Sequence, residues 1–376
     1  MAKYKILCTL NQARVVAGTE KHLLILLRNL NRDLFDPAVV CFSDGPLIEL
    51  LRKQGIKAWS LKRERFLDYS TARRLYSLIK EYKFDLLHSH CGQFACIIAK
   101  LAGVPYLIET RHGLYLNYDQ LNKVSFLRSL INKRKAIFVD LTLTVNKIDK
   151  KLLIETFRAP KNKIRGVANG LDLEEIQSLE INSTQIKHKL QIASSCNIVG
   201  TVARFTEQKG LKYFVQAIKL IKEQIPNCKF IIVGDGELKN SLINSVKNIG
   251  VYQDVIFTGY RVDAVSLMSI FDIFVLPSLW EGMPYTILEA MALKKPVVAT
   301  NVFGNSEIIL NGITGNLVPP RDSLAISEAV IRLLKDKEKA KEMGENGFRR
   351  VKKNFSAKKM TEKIEQTYLE LLNGFK

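Results

Sequence analysis

Two hydrophobic rhythms alternate along the chain. Short runs rich in Val, Ile, Leu and Phe recur at Lys5–Leu10, Pro37–Phe42, Lys57–Leu61, Asp85–Ser89, Tyr106–Thr110 and Leu141–Val145. They recur again at Asn197–Ala203, Lys229–Val233, Val255–Thr258, Ile273–Leu276 and Pro296–Ala299. Between many of them lie stretches whose apolar residues return every three or four positions, such as Lys21–Asn31, Thr71–Tyr82, Leu211–Gln224 and Leu238–Ile249. The first rhythm is that of strands buried on both faces, the second that of one helix face. Strands alternating with helices predict parallel sheets covered by helices, and two such series predict two doubly wound α/β domains. Ligands in these folds sit at the carboxyl ends of the strands, so a cleft between facing strand ends is expected.

The two series part after Lys163–Gly170, a short strand ending in the turn signal Asn169-Gly170. The polar stretch Asp172–Ser195 reads as a linker with a helix. The expected division is residues 1–172, residues 173–355, and a terminal helix over 356–376 that packs back on the first domain. No short-period repeat or low-complexity tract interrupts the pattern.

Composition narrows the class. The chain has 376 residues, 47% apolar and 25% charged, enough for two cores and ordinary for a globular protein. No apolar run approaches the ~20 residues that span a bilayer. Met1–Cys8 runs straight into a strand without a signal-peptide layout, so a cytoplasmic location is expected. The six cysteines form no C-x-x-C pair and lie mostly in apolar runs, as reduced core thiols do. Cys91 and Cys96 lie near His88 and His90, at a spacing that matches no zinc pattern. His88 and His90 themselves read as core or rim residues.

Net charge is +20 and uneven. Residues 1–172 hold 30 Lys+Arg against 15 Asp+Glu, a net of +15; residues 173–376 hold 27 against 22, a net of +5. The basic surplus of the first half points to a polyanionic partner, such as an anionic lipid surface, a pyrophosphate-bearing lipid or a nucleic acid. Phe126–Lys135 mixes apolar and basic residues as interfacial helices do, and Lys62-Arg63-Glu64-Arg65 and Arg73-Arg74 add to it. The helix-turn-helix pattern and the aromatic–basic interleaving of nucleic-acid binders are missing, so an anionic membrane is the preferred partner.

The most informative stretch is Ser278–Ala292. A buried strand, Asp272–Pro277, leads into a turn carrying Glu281, then a helix opened by Gly282–Tyr285 and carrying Glu289. The first turn of a helix offers backbone N–H groups and a positive dipole end to a phosphate. A carboxylate beside a phosphate serves something other than the phosphate, because like charges repel. Two acids flanking a phosphate site suit two hydroxyl-rich groups, the layout of a nucleotide sugar. Arg204 and Lys209, after the first strand of the second half, can hold the charge that develops on a departing diphosphate.

With Ala203-Arg204-Phe205, Gln208-Lys209-Gly210, Val233-Gly234-Asp235-Gly236-Glu237, Phe257-Thr258-Gly259-Tyr260, Glu281 to Glu289 and Gly312–Pro320 in this order, the chain resembles the retaining glycosyltransferases of family four, which have the GT-B fold. The likeness runs over essentially the whole length. It implies two Rossmann-like domains facing across a cleft, the first binding the acceptor and the second the nucleotide sugar. It implies that Glu281 contacts donor-sugar hydroxyls, Glu289 the ribose, and Gly282, Met283, Pro284, Tyr285 and Thr286 the sugar and phosphate. Gly234, Asp235 and Gly236 would lie beside the nucleotide, and Tyr260 and Arg261 near the base. In the first half Ala17-Gly18-Thr19-Glu20 stands where the family usually has two glycines; Gly18 still permits close approach of a phosphate or acceptor. His112 matches the family histidine that lies against the donor sugar.

The reaction implied is transfer of a hexosyl or N-acetylhexosaminyl group from a UDP- or GDP-sugar to an acceptor hydroxyl, with retention and with neither metal nor cofactor. Arg204, Lys209, Glu281 and His112 are the expected catalytic residues. The expected acceptor is a lipid-linked glycan of surface polysaccharide assembly (lipopolysaccharide, O-antigen or capsule) at the inner face of the cell membrane. A sugar-nucleotide epimerase on the same fold, a transferase with a soluble or nucleic-acid acceptor, and a non-catalytic sensor are the alternatives; Glu281, Glu289 and the Arg204/Lys209 pair speak against the first and last.

Overall fold

The computed structural model describes residues 2–14, 18–63, 68–114 and 126–374. Ala17, Glu64 and Arg65 lie outside the described residues, as do the side chains of Phe126, Leu127 and Arg128. The chain divides into two compact domains. One runs to Gly170 and regains the chain at Ala357; the other is Leu171–Ser356. The two crossings of the chain lie side by side, because Leu171 pairs with Ser356 in an isolated parallel bridge and the Leu171 N–H donates to the Phe355 carbonyl at 2.7 Å.

Among the described residues the first domain holds seven strands: β1 (Tyr4–Leu10), β2 (Phe35–Cys41), β3 (Lys57–Ser60), β4 (Leu86–Ser89), β5 (Tyr106–Arg111), β6 (Leu141–Thr144) and β7 (Ile164–Gly166). Their order is β3-β2-β1-β4-β5-β6-β7, all parallel. β1 is buried without a break from Ile6 to Leu10, because both of its faces are covered. Leu7, Val40, Leu87, Leu107 and Ala95 share one core. A fully buried Val or Leu side chain contributes about 1.5–3 kcal/mol by leaving water. The helix Ala357–Leu372 belongs to this domain and packs on the helix Gly18–Asn29. Its buried stripe Met360, Ile364, Tyr368 and Leu371 follows the three-to-four spacing of a helix face. The Tyr368 ring meets Phe35 edge-on at 5.6 Å.

The second domain holds β8 (Asn197–Val202), β9 (Cys228–Val233), β10 (Val255–Gly259), β11 (Ile273–Leu276), β12 (Val297–Thr300) and β13 (Asn316–Val318), in the order β10-β9-β8-β11-β12-β13. β13 is additional to the strands expected from the pattern; three residues after a glycine are too short to carry a readable run. Phe214, Ile218, Phe230, Ile232, Val275, Val298 and Val330 centre its core.

Strand order reverses once in each sheet. The chain runs outward from β1 to β3 and returns to β4 on the other side of β1; likewise it runs from β8 to β10 and returns to β11 beside β8. The carboxyl ends of β8 and β11 therefore flank the switch point of the second sheet, and those of β1 and β4 the switch point of the first.

Candidate active site

At the switch point of the second sheet the loop after β8 is joined to the loop after β11. The Leu279 N–H donates to the Gln208 carbonyl at 2.7 Å, and Gln208 Nε2 donates to the Trp280 carbonyl at 3.0 Å. The Lys209 ammonium lies 2.5 Å from Glu281 Oε1, with the two side chains only 15% and 6% exposed. Residues 72 positions apart are thus neighbours, because β8 and β11 are neighbours.

Glu281 is held on one side only. Its Oε1 accepts from Lys209 and also from Ser278 Oγ at 2.6 Å. Its Oε2 has no hydrogen-bond partner among the described residues. An ionised carboxylate has about four acceptor positions, so this acid is oriented by two donors and keeps further acceptor positions open. Ser278 and Gln208 belong to the motifs legible in the sequence, but no role attaches to them there; Gln208 gains one from the pairing of the loops, and Ser278 from its bond to Glu281 three residues on.

Arg204 behaves differently from Lys209. Its side chain is exposed and makes no hydrogen bond or ion pair among the described residues. The two cations expected to share one task therefore start from different states, one free and one engaged.

Gly282, Met283, Pro284 and Tyr285 are buried and Thr286 half-buried. The helix Tyr285–Ala292 opens at Pro284 without a side-chain cap. Glu289 stands one turn beyond Tyr285 and is 6% exposed. Burial, and then the Glu289 charge, push the Tyr285 phenol well above its usual range, so it stays a neutral donor.

At the end of β9, Gly234 has φ +136°, and a Cβ there would fall 1.9 Å from the Ala203 carbonyl oxygen. Only glycine lets this turn lie against the loop that carries Arg204. Asp235 is exposed and engaged locally: it accepts from Lys239 at 2.8 Å and from the Gly236 N–H at 2.8 Å, which hold its carboxyl below the usual range. Arg261 is paired with Asp263 at 2.7 and 2.6 Å. Tyr260 is 58% exposed and open to stacking. Among the described residues no hydrogen bond joins Asp235, Tyr260 or Arg261 to the Lys209–Glu281 pair.

In the first domain, Gly18 opens its helix in open space; a Cβ there would meet nothing within 4 Å. His112 follows β5 and is one of four imidazoles gathered at that sheet's switch point. His90 Nδ1 lies 3.1 Å from His112 Nε2, the His22 and His112 rings meet edge-on at 4.9 Å, and His22 Nδ1 lies 2.9 Å from Asn169 Oδ1. His88 bonds through both nitrogens, to the Tyr368 hydroxyl and to Thr110 Oγ1, each at 2.6 Å. Burial first, and then neighbouring imidazoles, hold His88 down to about 3 and His90 and His112 well below 6.5; burial alone takes His22 to about 4 against the pull of Asn169. Cys8, His88 and His90 bring ligand atoms within 4.8 Å of one another. Both His88 nitrogens are already committed, and burial pushes the Cys8 thiol up to about 12, away from the thiolate a metal takes.

The family model described as "Glycosyltransferase Family 4" matches residues 16–175, and that described as "Glycosyl transferases group 1" matches residues 182–350. The chain is similar to a UDP-Gal:alpha-D-GlcNAc-diphosphoundecaprenol alpha-1,3-galactosyltransferase of Escherichia coli, 30% identical over 370 residues that cover 95% of each chain. It is 28% identical to the capsular polysaccharide biosynthesis glycosyltransferase CapM of Staphylococcus aureus, over 91% of each. Among solved structures, Anabaena Alr3699/HepE in complex with UDP and glucose superposes with a TM-score of 0.84 at 20% identity, over 97% of this chain and 99% of that one. WaaG, a glycosyltransferase involved in lipopolysaccharide biosynthesis, superposes with a TM-score of 0.75 at 15% identity, over 96% and 99%. With GT-B structures sharing its fold and a 30% identical relative spanning nearly its full length, the chain belongs to the family-four, group-1 glycosyltransferases.

Proposed function

We propose that this enzyme moves a hexosyl group from a UDP-sugar to a hydroxyl of a sugar carried on a lipid diphosphate, with retention of configuration and without a metal. The observation that carries the reading is the one-sided fixation of Glu281: an oriented, almost buried carboxylate with one oxygen open, at the switch point where ligands bind. Support for the donor and acceptor comes from the Escherichia coli relative, whose name gives a UDP-sugar and a diphosphoundecaprenol-linked acceptor.

In this reading the open oxygen of Glu281 accepts from donor-sugar hydroxyls, and Glu289 accepts from the ribose. Gly282 to Thr286 approach the sugar and phosphate, Gly234 to Gly236 border the nucleotide, and Tyr260 and Arg261 border the base. Arg204 and Lys209 hold the diphosphate. The bond from the anomeric carbon to the phosphate oxygen breaks, the acceptor oxygen bonds to the same face, and its proton passes to the leaving phosphate oxygen. Lys209 then exchanges Glu281 for phosphate as charge builds, which is stabilisation specific to the transition state.

Membrane attachment is proposed through the first domain. The helix Phe126–Phe138 exposes Ile131, Lys133, Arg134 and Ile137. The helix Gln93–Leu101 exposes Ile97 and Leu101, and its Lys100 ammonium lies 4.9 Å from the Phe138 ring, so the two helices are neighbours. Among the described residues no helix is long and apolar enough to cross a membrane.

The deciding experiment offers UDP-galactose, UDP-glucose, UDP-N-acetylglucosamine and GDP-mannose to the protein, with and without a polyprenyl-diphosphate-linked N-acetylglucosamine, and with EDTA. Label from one UDP-sugar entering the lipid fraction, unaffected by EDTA and with the donor's anomeric configuration, supports the reading. Conversion of the donor without acceptor turns it to an epimerase, and strict dependence on Mg²⁺ removes the metal-independent mechanism.

A further inference from the structure

Behind Glu281 runs a chain of hydrogen bonds through residues to which the proposed reaction gives no task. Asn305 Nδ2 donates to the Thr300 carbonyl at 2.9 Å and lies 3.4 Å from Thr300 Oγ1. Thr300 Oγ1 donates to the Ser278 carbonyl at 2.5 Å, and Ser278 Oγ donates to Glu281 Oε1 at 2.6 Å. Asn305, Thr300 and Ser278 are all 0% exposed. We propose that Asn305 is a positioning residue for the reaction, fixing the Glu281 carboxylate through Thr300 and Ser278. The proposal rests on the reading of Glu281 as the acid that holds the donor sugar.

The direction of the bonds supports it. Every donor in the chain faces the acid, so each link fixes the next: the amide locks Thr300, the Thr300 hydroxyl locks the Ser278 backbone, and the Ser278 hydroxyl locks the carboxylate. The amide cannot be turned round, because only its nitrogen can face the Thr300 carbonyl. Its Oδ1 is buried and has no hydrogen-bond partner among the described residues. A residue kept only for packing is apolar, or satisfied at both ends. Asn305 is satisfied only on the side that leads to Glu281.

The backbone that carries Asn305 is itself clamped. A Cβ on Gly304 would fall 2.3 Å from the Gly282 carbonyl oxygen, so the helix Phe303–Ile308 lies directly against the turn after Glu281. At its other end Arg350 Nε donates to the Ile308 carbonyl at 2.5 Å and Nη2 to the Glu307 carbonyl at 2.9 Å. The chain also matters at a particular moment. Glu281 Oε1 has two donors, and in the proposed reaction one of them, Lys209, leaves for the diphosphate. Ser278 is then the remaining protein donor to Oε1, and its aim depends on Thr300 and Asn305. The effect belongs to turnover more than to nucleotide binding.

The test measures transfer from the accepted UDP-sugar, UDP affinity and thermal stability for the wild type, Asn305→Ala, Thr300→Val and Glu281→Gln, and for each of the first two variants combined with Glu281→Gln. The expected result is a fall in kcat of about tenfold or more for Asn305→Ala and Thr300→Val, of the size that misplacing a reacting group brings. UDP affinity stays within about twofold, and neither change lowers the residual rate of Glu281→Gln further, because the chain acts through that carboxylate. Thr300→Val conserves volume and answers the same question where Asn305→Ala does not fold. Losses that multiply with that of Glu281→Gln, a parallel loss of UDP affinity, or wild-type kcat in both single variants overturn the positioning role. An active wild type with an equally active Glu281→Gln overturns the assignment of Glu281 as well, and so separates the two failures.

Discussion

Lys209 and Glu281, expected to serve different ends of a donor, are bonded to each other at 2.5 Å. Each is the other's counter-charge in a nearly buried setting. Arg204, on the same loop after β8, stands exposed and, among the described residues, without a hydrogen bond or ion pair of its side chain. That loop therefore offers one cation that is already at work in the fold and one that is not.

Lys209→Ala and Arg204→Ala are expected to separate on stability. Removing Lys209 leaves an almost buried carboxylate without its ammonium, a cost of about 3 kcal/mol where only Ser278 remains. Arg204→Ala is a surface change and stays within about 0.5 kcal/mol. Both lose turnover, by about 2.7–4 kcal/mol of barrier for a lost oxyanion-type donor. Denaturant unfolding beside initial rates checks this, and equal stability of the two variants would remove the structural part of the Lys209 role.

Glu281→Gln and Glu289→Gln are expected to part on binding. The first keeps UDP affinity and loses transfer, because free UDP has no donor sugar for Glu281 to hold. The second weakens UDP by about 1–3 kcal/mol, the worth of a hydrogen bond to a charged group. Titration calorimetry with UDP reads both, and the opposite pattern reverses the two assignments.

Stability is expected to fall in mild acid. His22 and His88 are held down to about 4 and about 3 by burial, while in the unfolded chain they protonate near 6.5. Between those values the unfolded state binds more protons, so stability rises with pH through the window. It is fully present above about 6.5 and drains away as pH falls toward 4 and then 3, by up to about 1.4 kcal/mol per unit for each histidine. Unfolding midpoints across pH 7.5 to 4 measure it. A His22→Gln variant should lose part of the slope, and an unchanged slope would count against the buried neutral cluster.

Anionic vesicles are expected to pellet the protein and neutral ones to leave it in solution. Lys133→Gln with Arg134→Gln should reduce pelleting while UDP binding is kept, since each basic residue at an anionic surface contributes ~1 kcal/mol. Attachment should weaken between 0.1 and 1 M salt as the Debye length drops from ~10 to ~3 Å. Equal recovery with neutral vesicles would assign the exposed Ile97, Leu101, Ile131 and Ile137 to some other surface.

What is legible in the sequence follows from what is local. Strands such as Ile273–Leu276 announce themselves because both faces are buried, and Glu281 and Glu289 stand out because a strand, a turn and a helix start are all written in one short stretch. Partnership across the sheet is not local. Lys209 meets Glu281 because β11 returns beside β8, and the Ser278–Thr300–Asn305 chain forms because β12 lies next to β11. The four-histidine cluster is half visible. His88 lies in β4 and His90 just after it, and His112 follows β5, which pairs with β4, but His22 enters from a helix and carries no signal of its own. Nor does a Lys/Glu-rich tail reveal which of its residues, Tyr368, reaches 280 positions back to His88.

That reach has a consequence for how the protein comes into being. A ribosome releases the first sheet early, yet the helix that covers it, Ala357–Leu372, is made only after the whole of Leu171–Ser356. Until then His88 lacks the Tyr368 hydroxyl and Phe35 lacks the ring packed against it. Leu171–Ser356 is a single uninterrupted stretch and can close its core as soon as it emerges. The domain begun first is thus the one finished last, and in the interval its open face is the part of the nascent chain that needs shelter.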